Sequence, residues 1–327
     1  MKIYLGKSFS PYITLPYEQA LMEDTNLNED IVYFYQHENA IIIGRNQNVY
    51  EEVKVEELEK HEIELARRLS GGGAVYHDLG NINFCFITKR DKSQSYEKFL
   101  TPILDYLKNL GVNAYFKGRN DLVIDDKKFS GNAQYILGDK ICHHGTILFN
   151  ANLEKLGQFL IPSKLKMESK GIKSARQRVT NVIDVLEKKM SVEEFIKGMI
   201  GYFEKHYDGK VEELPEKYQP RVKEISDYVQ TKDWLFKKQF PFSVSNEAKY
   251  TAGILKVKYS IKEARFENIV FEGDFLALTD HEEVIKKLIN SEYNKQETRN
   301  ILKSFNNLTE MFGGLEIEEI LLTIYGE

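Results

Sequence analysis

The chain has 327 residues, which is enough for two domains of ordinary size. A hydrophobic fraction of 42% is typical of a globular protein, and 45 basic against 50 acidic residues leave a net charge of −5, which excludes a globally basic surface for duplex nucleic acid. No apolar run approaches the length of a membrane span and the first residues lack the apolar core of a signal peptide, so we expect a cytoplasmic protein with no nucleic-acid and no membrane partner.

The first part of the chain is predicted to alternate short strands with a helix. Apolar runs rich in β-branched and aromatic residues predict strands at 31–35, 40–43, 63–66 and 81–88. Apolar residues then recur every three or four positions after Ser95, which predicts an amphipathic helix that stops at Gly111.

A strand-rich stretch follows this helix. Residues 121–124, 129–137 and 141–149 have the patterns of strands, and tight turns are predicted at Asp125-Asp126 and at Gly138-Asp139.

The last third of the chain changes character near residue 240. A helix begins at Ser191, which forms a capping-box pattern with Glu194, but no regular period continues past residue 239. We therefore predict two domains, at 1–245 and 246–327. The second is predicted to contain a hairpin followed by three helices, at 254–261 with 264–271 and at 282–290, 297–305 and 316–325.

The two cysteines, Cys85 and Cys142, cannot form a four-cysteine zinc site or a disulfide scaffold, and they fit a reducing compartment. Each lies in an apolar strand pattern. We therefore interpret both first as small core residues.

Three consecutive glycines, Gly71 to Gly73, form the most informative segment. Such a backbone can adopt positive φ, approach a ligand closely and direct successive N–H groups at an anion. Arg67 and Arg68 precede the glycines, and arginine suits bidentate contact with phosphate or carboxylate. Two familiar phosphate motifs do not fit. Gly6-Lys7-Ser8 matches the end of a Walker A loop, but Met1 stands where its first glycine belongs, and a dinucleotide fingerprint opens a helix whereas the three glycines lead into a strand. A mobile surface turn is the alternative.

Two further segments contain basic side chains in strand patterns. Neighbours on a strand face opposite sides, so only one of Lys127 and Lys128 can point into a given site. By the same rule His143 and His144 cannot share one pocket, which argues against a two-histidine metal site. A solvated charged turn and a packed histidine are the alternatives.

The segment from Ser163 to Arg178 contains six basic residues and one acidic residue. Such a patch attracts anions. A mobile basic loop without a ligand is the alternative.

Together these segments resemble the lipoate-protein ligase A family of the biotin/lipoate ligase superfamily. Residues 67–78 match its R-R-x-S-G-G-G-A-V-[FY]-H-D loop, and Lys128 begins its K-x-S-G segment, which selects Lys128 over Lys127. Two further matches are His144-Gly145-Thr146 and the stretch from Lys170 to Asn181. The resemblance implies an α+β fold, with a large mixed-sheet catalytic domain of the class II synthetase-like type and a small C-terminal α+β accessory domain.

The resemblance also implies an ATP-dependent activity in two steps. Lipoate and MgATP first give lipoyl-AMP and pyrophosphate, and the ε-amino group of a lysine on an acceptor lipoyl domain then takes the lipoyl group. Lipoyl domains of 2-oxoacid dehydrogenase E2 and the glycine-cleavage H protein are the expected acceptors.

The family motifs assign roles to individual residues of this sequence. Lys128 is the implied catalytic residue, and it is also expected to contact both ATP and lipoate. The other implied residues are Arg68, Gly73, Ala74, Val75 and Tyr76 for ATP and the adenylate; Ser70, Gly71, Gly72, Gly73, His77, Asn83 and His144 for lipoate; Gly171 and Arg178 on a loop that closes over the adenylate; and Asp121 for Mg²⁺, held mainly through phosphates.

Other functions remain open at this point. An acyltransferase of the same superfamily would move octanoyl or lipoyl groups without ATP, and Cys142 would be its candidate nucleophile. A non-catalytic ligand-binding regulator would need a DNA-reading element, and no helix-turn-helix pattern is evident at either end. Biotin ligation is a substrate variant of the ligase interpretation.

Overall fold

A computed structural model describes residues 1–91, 95–162, 178–237 and 239–326. In this part of the chain the strands are β1 (Lys2–Leu5), β2 (Ile31–Tyr35), β3 (Ala40–Ile43), β4 (Glu64–Arg67), β5 (Val75–His77), β6 (Asn81–Lys89), β7 (Ala114–Lys117), β8 (Asp121–Ile124), β9 (Lys127–Leu137), β10 (Lys140–Leu148), β11 (Lys210–Val211), β12 (Val244–Tyr250), β13 (Gly253–Lys262) and β14 (Arg265–Gly273).

The helices of the described residues surround these strands. They are α1 (Pro11–Glu23), α2 (Val49–Glu52), α3 (Val55–Lys60), α4 (Tyr96–Asn109), α5 (Leu153–Phe159), α6 (Val182–Val185), α7 (Val192–His206), α8 (Gln219–Val229), α9 (Lys232–Phe236), α10 (Glu282–Leu288), α11 (Lys295–Lys303), α12 (Leu308–Met311) and α13 (Ile317–Tyr325), and a 3₁₀ turn covers Glu216–Tyr218.

The largest sheet of the described residues has eight strands in the order β11-β1-β2-β6-β10-β9-β8-β7. It is mixed. Strand β1 is parallel to β2 and β11, whereas the neighbouring strands in the row β6-β10-β9-β8-β7 pair antiparallel. Helices α4 and α7 cover one face, where side chains such as Phe86 and Phe203 pack together. Helices α1 and α8 cover the other face, where Tyr33 and Ile225 are buried.

Local turn chemistry sets the register of the strands that matter for the site. Gly138 has φ +61° at the β9–β10 hairpin, and Asp125 and Asp126 have φ +49° and +62° between β8 and β9. Two successive residues with positive φ form the tight turn that suits the twist of a hairpin. Both predicted turns are confirmed, and the predicted helix stop at Gly111, with φ +79°, is confirmed as well.

A second, three-stranded sheet has the order β4-β3-β5 and holds the triglycine segment between β4 and β5. Strand β3 pairs in parallel with β4 and antiparallel with β5. The segment is therefore fixed at both ends by pairing with one central strand.

The C-terminal part of the chain has its own core. The sheet β12-β13-β14 and helices α10 to α13 bury a cluster that includes Phe271, Phe275 and Phe312. The predicted hairpin and three helices are confirmed. Strand β12 was not predicted, and the proposed boundary between residues 245 and 246 falls within it. The division into two domains at that point stays a prediction.

The predicted α+β class, with a large mixed sheet and a smaller α+β C-terminal part, is confirmed. Within the described ranges, no helix is both long and apolar enough to cross a bilayer.

Candidate active site

A cleft of about 940 Å³ opens above the triglycine segment and the strands β8 to β10. It brings together most of the residues that the sequence selected. Those on its wall are Arg68, Gly72, Gly73, Ala74, Val75, Tyr76, His77, Asn83, Asp121, Lys128, His144 and Arg178. Ser70 and Gly71 lie behind this wall, and Gly171 lies outside the described residues, as does the basic segment up to residue 177.

Arg68 holds the triglycine segment in shape. Its guanidinium donates to the carbonyls of Gly71 at 2.7 Å and Gly73 at 2.9 Å, and to Oγ of Ser70 at 3.1 Å. Burial lowers its pKa to about 10, so it remains a cation at neutral pH. Arg68 thus faces the cleft with its donors already engaged by the segment, and its contact with a nucleotide stays a prediction.

Arg67, unlike Arg68, does not line the cleft. Its guanidinium donates to the carbonyls of Gly44 at 3.0 Å, Gln47 at 2.7 Å and Leu235 at 2.5 Å. Neighbouring residues of an extended chain point to opposite sides, so Arg68, which directly follows β4, faces the glycines while Arg67 faces away. Arg67 is a structural residue that joins β4 to α9.

His144 connects the cleft to a buried carboxylate. Its Nδ1 lies 2.9 Å from Oε1 of Glu18 on α1, and its Nε2 lies 2.6 Å from Oγ of Ser70. Burial works to lower the pKa of His144, but attraction to Glu18 outweighs it and raises the pKa to about 10. His144 is therefore an imidazolium at neutral pH, and both ring nitrogens donate hydrogen bonds.

The opposite charge on Glu18 is stabilised in the same way. Burial alone would raise the pKa of Glu18, whereas attraction to His144 and its hydrogen bond lower it. The hydroxyl of Tyr35 also donates to Glu18, at 3.2 Å. The pair links α1, β10 and, through Ser70, the triglycine segment.

His143 points into the core on the other face of the sheet, as the alternation along β10 predicts. Its ring stacks on Phe99 at 4.9 Å, and its Nδ1 lies 3.1 Å from Nε2 of Gln134. The prediction that His143 and His144 cannot share one pocket is confirmed.

A second histidine pair lies on the cleft wall at the end of β5. Nδ1 of His77 is 3.0 Å from Nδ1 of His37, whose Nε2 is 2.7 Å from Oγ1 of Thr14. Burial lowers the pKa of His37 to about 3 and that of His77 well below its ordinary value, so both rings are neutral. Among the described residues, Nε2 of His77 and Nδ2 of Asn83 have no hydrogen-bond partner. Both residues line the cleft, but these two atoms are themselves inaccessible to solvent, so their contact with a ligand stays a prediction.

Lys128 lies on the cleft wall beside an acidic partner. Its Nζ is 2.6 Å from Oδ1 of Asp121, and both side chains are about one-third exposed. Gly131 makes room for this ammonium, because a Cβ at that position would lie 2.8 Å from Nζ of Lys128. The residues just after the basic segment also pair with this strand, since N–H of Thr180 donates to the carbonyl of Lys128 at 3.0 Å.

Asp121 could contribute one carboxylate to a divalent ion. Carboxylate oxygens and phosphates are the ligands that Mg²⁺ prefers, and the ion usually keeps several waters. The described residues place no cluster of three ligating side chains around Asp121. The phosphates of a nucleotide and water would therefore have to supply most of the ligands of the ion. This fits the predicted role of Asp121, which stays a prediction.

The two cysteines lie below His144 in the sheet and away from the cleft. Their Sγ atoms are 3.3 Å apart and both residues are fully buried. Burial raises the pKa of the Cys85 thiol well above its ordinary value. The interpretation of both as core residues is confirmed, and neither thiol is exposed to a substrate in the cleft.

Sequence reasoning missed several residues of this site. Glu18, His37 and Leu276 were not predicted, although His37 and Leu276 line the cleft and Glu18 fixes the charge of His144. Glu18 lies 126 residues before its partner. No local pattern in the sequence marks such a pair.

Family comparisons agree with these observations. The family of the lipoyl protein ligase A/B catalytic domain matches residues 10–204, and the family of the bacterial lipoate protein ligase C-terminus matches residues 239–324. The chain is 37% identical to the probable lipoate-protein ligase A of Mycoplasma pneumoniae over 334 residues, which cover 99% of this chain and 98% of that protein.

Two solved structures have similar folds. The crystal structure of P. falciparum LipL1 in complex with lipoate superposes with a TM-score of 0.85 at 25% identity and covers 100% of both chains. The crystal structure of a lipoate-protein ligase A bound with ATP gives a TM-score of 0.62 at 26% identity and covers 72% of this chain and 98% of that one.

Proposed function

The chain belongs to the lipoyl protein ligase A/B family and is a lipoate-protein ligase, and we propose that this cleft forms lipoyl-AMP and then transfers the lipoyl group to a lysine of a lipoyl acceptor domain. The observation that carries this proposal is the presence of Lys128 and the triglycine segment on the wall of the same cleft. The relatives bound to lipoate and to ATP support the choice of substrates.

In the first step a carboxylate oxygen of lipoate attacks the α-phosphorus of ATP, and the bond from that phosphorus to pyrophosphate breaks. Negative charge builds on the α-phosphate oxygens, where the ammonium of Lys128 stabilises it. A preorganised donor of this kind lowers the activation free energy by roughly 3 kcal/mol. Lys128 also holds the two anionic reactants in line, and the N–H groups of Gly73 to Tyr76 bind the nucleotide.

Asp121 has two functions in this proposal. In the free enzyme it holds Lys128 at 2.6 Å and keeps the ammonium within the cleft. With MgATP bound, its carboxylate would hold the ion together with the phosphates. The ion supplies charge neutralisation at the triphosphate, which lowers the repulsion that the incoming carboxylate meets.

In the second step the unprotonated ε-amine of the acceptor lysine attacks the acyl carbon, and the bond from that carbon to the AMP oxygen breaks. AMP leaves with the electron pair, and the amine loses a proton as the amide forms. The acyl group is carried by AMP throughout and never by Lys128.

The polar atoms that line the cleft without a partner suit the remainder of the substrates. Nε2 of His77 and Nδ2 of Asn83 are buried without a partner among the described residues, and a small movement of either side chain would bring its atom to a ligand. His144 and Ser70 brace the triglycine segment from behind. Apolar side chains on the wall, among them Leu15, Tyr35 and Ile42, offer a surface for the acyl chain.

The buried cysteines argue against an acyltransferase that uses a cysteine nucleophile. Cys142 is fully buried beside Cys85, and its neighbour His144 is a cation paired with Glu18, which cannot take the proton of the thiol. Such a nucleophile needs exposure and a depressed pKa.

The proposal is tested with two measurements on the full-length protein. Lipoate-dependent exchange of labelled pyrophosphate into ATP reports the first step, and mass spectrometry of purified lipoyl domains reports the second. We expect exchange without acceptor, and one lipoyl group on the acceptor only with MgATP. An acceptor in which the target lysine is arginine is the control. Acyl transfer from a carrier protein without ATP would contradict the proposal.

A further inference from the structure

A short segment of the C-terminal part, residues 275–278, crosses the triglycine segment. It follows β14 and precedes α10. The carbonyl of Phe275 accepts from N–H of Gly72 at 3.4 Å, and the carbonyl of Ala277 accepts from N–H of Gly71 at 3.3 Å. The carbonyl of Leu278 accepts from N–H of Ile136 on β9 at 2.9 Å. The 275–278 segment is thus bound by backbone hydrogen bonds to both walls of the site.

This crossing explains why residue 71 is a glycine. A Cβ at Gly71 would lie 2.3 Å from the carbonyl oxygen of Phe275 and 2.7 Å from N of Ala277. Both atoms belong to backbone, which cannot move aside cheaply. Gly71 does not line the cleft, so its missing side chain accommodates the C-terminal part and not the ligand.

The same crossing places one apolar side chain on the cleft wall. Phe275 and Ala277 point into the C-terminal core and are fully buried, whereas Leu276 between them is only half-buried and lines the cleft. Its Cδ2 lies 3.4 Å from the position that a Cβ of Gly72 would take. On the other side its backbone lies against Gly313, where a Cβ would come within 2.7 Å of it.

Leu276 is the apolar residue that the C-terminal part contributes to this cleft within the described residues. The other residue from that part is Asp274, whose carboxylate accepts from N–H of Ile254 at 2.7 Å. The catalytic part supplies further apolar wall, including Leu15, Ile42 and Val75. Because its side chain is apolar, Leu276 can offer a ligand only dispersion contacts and burial from water.

We propose that Leu276 is a specificity-determining residue that contacts the acyl chain of the carboxylic acid substrate. The C-terminal part thereby selects the length of the acyl chain that the cleft accepts. This inference rests on the proposed function, because it takes the cleft to bind a fatty acid such as lipoate. The backbone hydrogen bonds of the 275–278 segment fix the position of Leu276 relative to the triglycine segment. A smaller or larger side chain at residue 276 therefore changes the volume that is left for the acyl group.

The test is a comparison of acids in the pyrophosphate exchange assay with the full chain. In Leu276→Ala we expect KM for lipoate and octanoate to rise about fivefold with kcat within about twofold, because apolar contact is lost without a change in the reacting atoms. Decanoate should gain relative to octanoate in kcat/KM. In Leu276→Trp, KM for lipoate should rise more than about tenfold, and KM for the shorter hexanoate should rise less than about threefold.

Two variants separate contact from docking. Leu278→Ala changes a half-buried leucine of the same segment that does not line the cleft, and it should leave the order of acids unchanged. Gly71→Ala should displace the segment without touching the leucine, and its order of acids should follow that of Leu276→Ala.

The inference would be overturned if the KM for each acid were the same in Leu276→Ala as in wild type. It would also be overturned if Leu278→Ala shifted these KM values as Leu276→Ala does. The wild-type protein keeps the two ideas apart. Lipoate-dependent exchange by wild type with no effect at residue 276 refutes only the role of Leu276, whereas absence of exchange with every acid refutes the proposed function.

Discussion

Nδ1 of His144 on β10 lies 2.9 Å from Oε1 of Glu18 on α1, and both side chains are buried. The imidazolium then donates through its other nitrogen to Ser70, which directly precedes the glycines. A charge on α1 therefore helps to fix the shape of the ligand-binding segment. This relationship gives the first prediction.

Glu18→Gln should destabilise the protein most at mildly acidic pH. The pKa of His144 is raised from 6.5 to about 10, so its stabilisation is complete below pH 6.5 and lost as the pH rises to about 10. The pKa of Glu18 is lowered from 4.5, so its stabilisation is complete above pH 4.5 and lost as the pH falls further. We expect a loss of about 3 kcal/mol at pH 6 that shrinks toward pH 9.5.

Urea unfolding of wild type and Glu18→Gln between pH 5 and 9.5 measures this difference. The exposed ion pair of Lys223 and Asp227 is a suitable control. The neighbour of Glu18, Gln19, is not, because its side chain hydrogen-bonds to Glu23. Asp227→Asn should change the free energy of unfolding by less than about 0.5 kcal/mol at every pH. A loss at residue 18 that stays constant with pH would rule out the ion pair.

Lys128→Ala should stop formation of the adenylate while the fold survives. The side chain is about one-third exposed, and its partner Asp121 can be solvated, so stability should change little. Exchange of pyrophosphate should fall by about 10²- to 10³-fold, the usual loss for a donor that stabilises a developing negative charge. Lys127→Ala is the matched control, because it removes the same charge from the neighbouring residue, which is exposed and also borders the cleft, and it should cost less than about threefold. Equal losses in the two variants would refute the choice of Lys128.

Gly131→Ala should impair the same step without changing any charged residue. A Cβ at residue 131 would lie 2.8 Å from Nζ and 2.9 Å from Cε of Lys128, so the flexible end of the lysine must move. A displacement of this kind lowers the rate through lost orientation, and we expect kcat to fall about tenfold with little change in the KM for ATP. Gly201→Ala on α7, where a Cβ meets nothing within 4 Å, controls for the substitution itself. Unchanged kcat in Gly131→Ala would mean that Lys128 tolerates another position.

Much of the fold could be predicted because its signals are local. The β9–β10 hairpin follows from Gly138, which takes the positive φ that the turn needs, and Ser191 caps α7 with the capping box complete. Helix α1 was not predicted, since it contains Pro16 and buries residues on several sides, which removes the polar face that marks an amphipathic helix. Strand β12 was missed because few of its residues are apolar.

The site could be predicted only where the sequence contains contiguous motifs. The triglycine segment and Lys128 lie on one cleft, as the resemblance implied. Alternation along a strand separated His143 from His144 correctly, and the same rule applied to Arg67 and Arg68 would have turned Arg67 away. Glu18 and Leu276 could not be found this way, because each meets its partners through the tertiary fold.

Cys142→Ala should leave the activity nearly intact, which distinguishes the ligase from a cysteine-dependent transferase. The thiol is fully buried and lies 3.3 Å from Sγ of Cys85, so it contributes packing rather than chemistry. We expect pyrophosphate exchange and acceptor modification within about threefold of wild type, and a loss of about 1 kcal/mol in the free energy of unfolding from the small cavity. Cys85→Ala should give the same pattern, because its thiol is buried in the same place. Loss of acyl transfer in Cys142→Ala alone, with unfolding unchanged, would instead indicate a covalent acyl-enzyme on that sulfur.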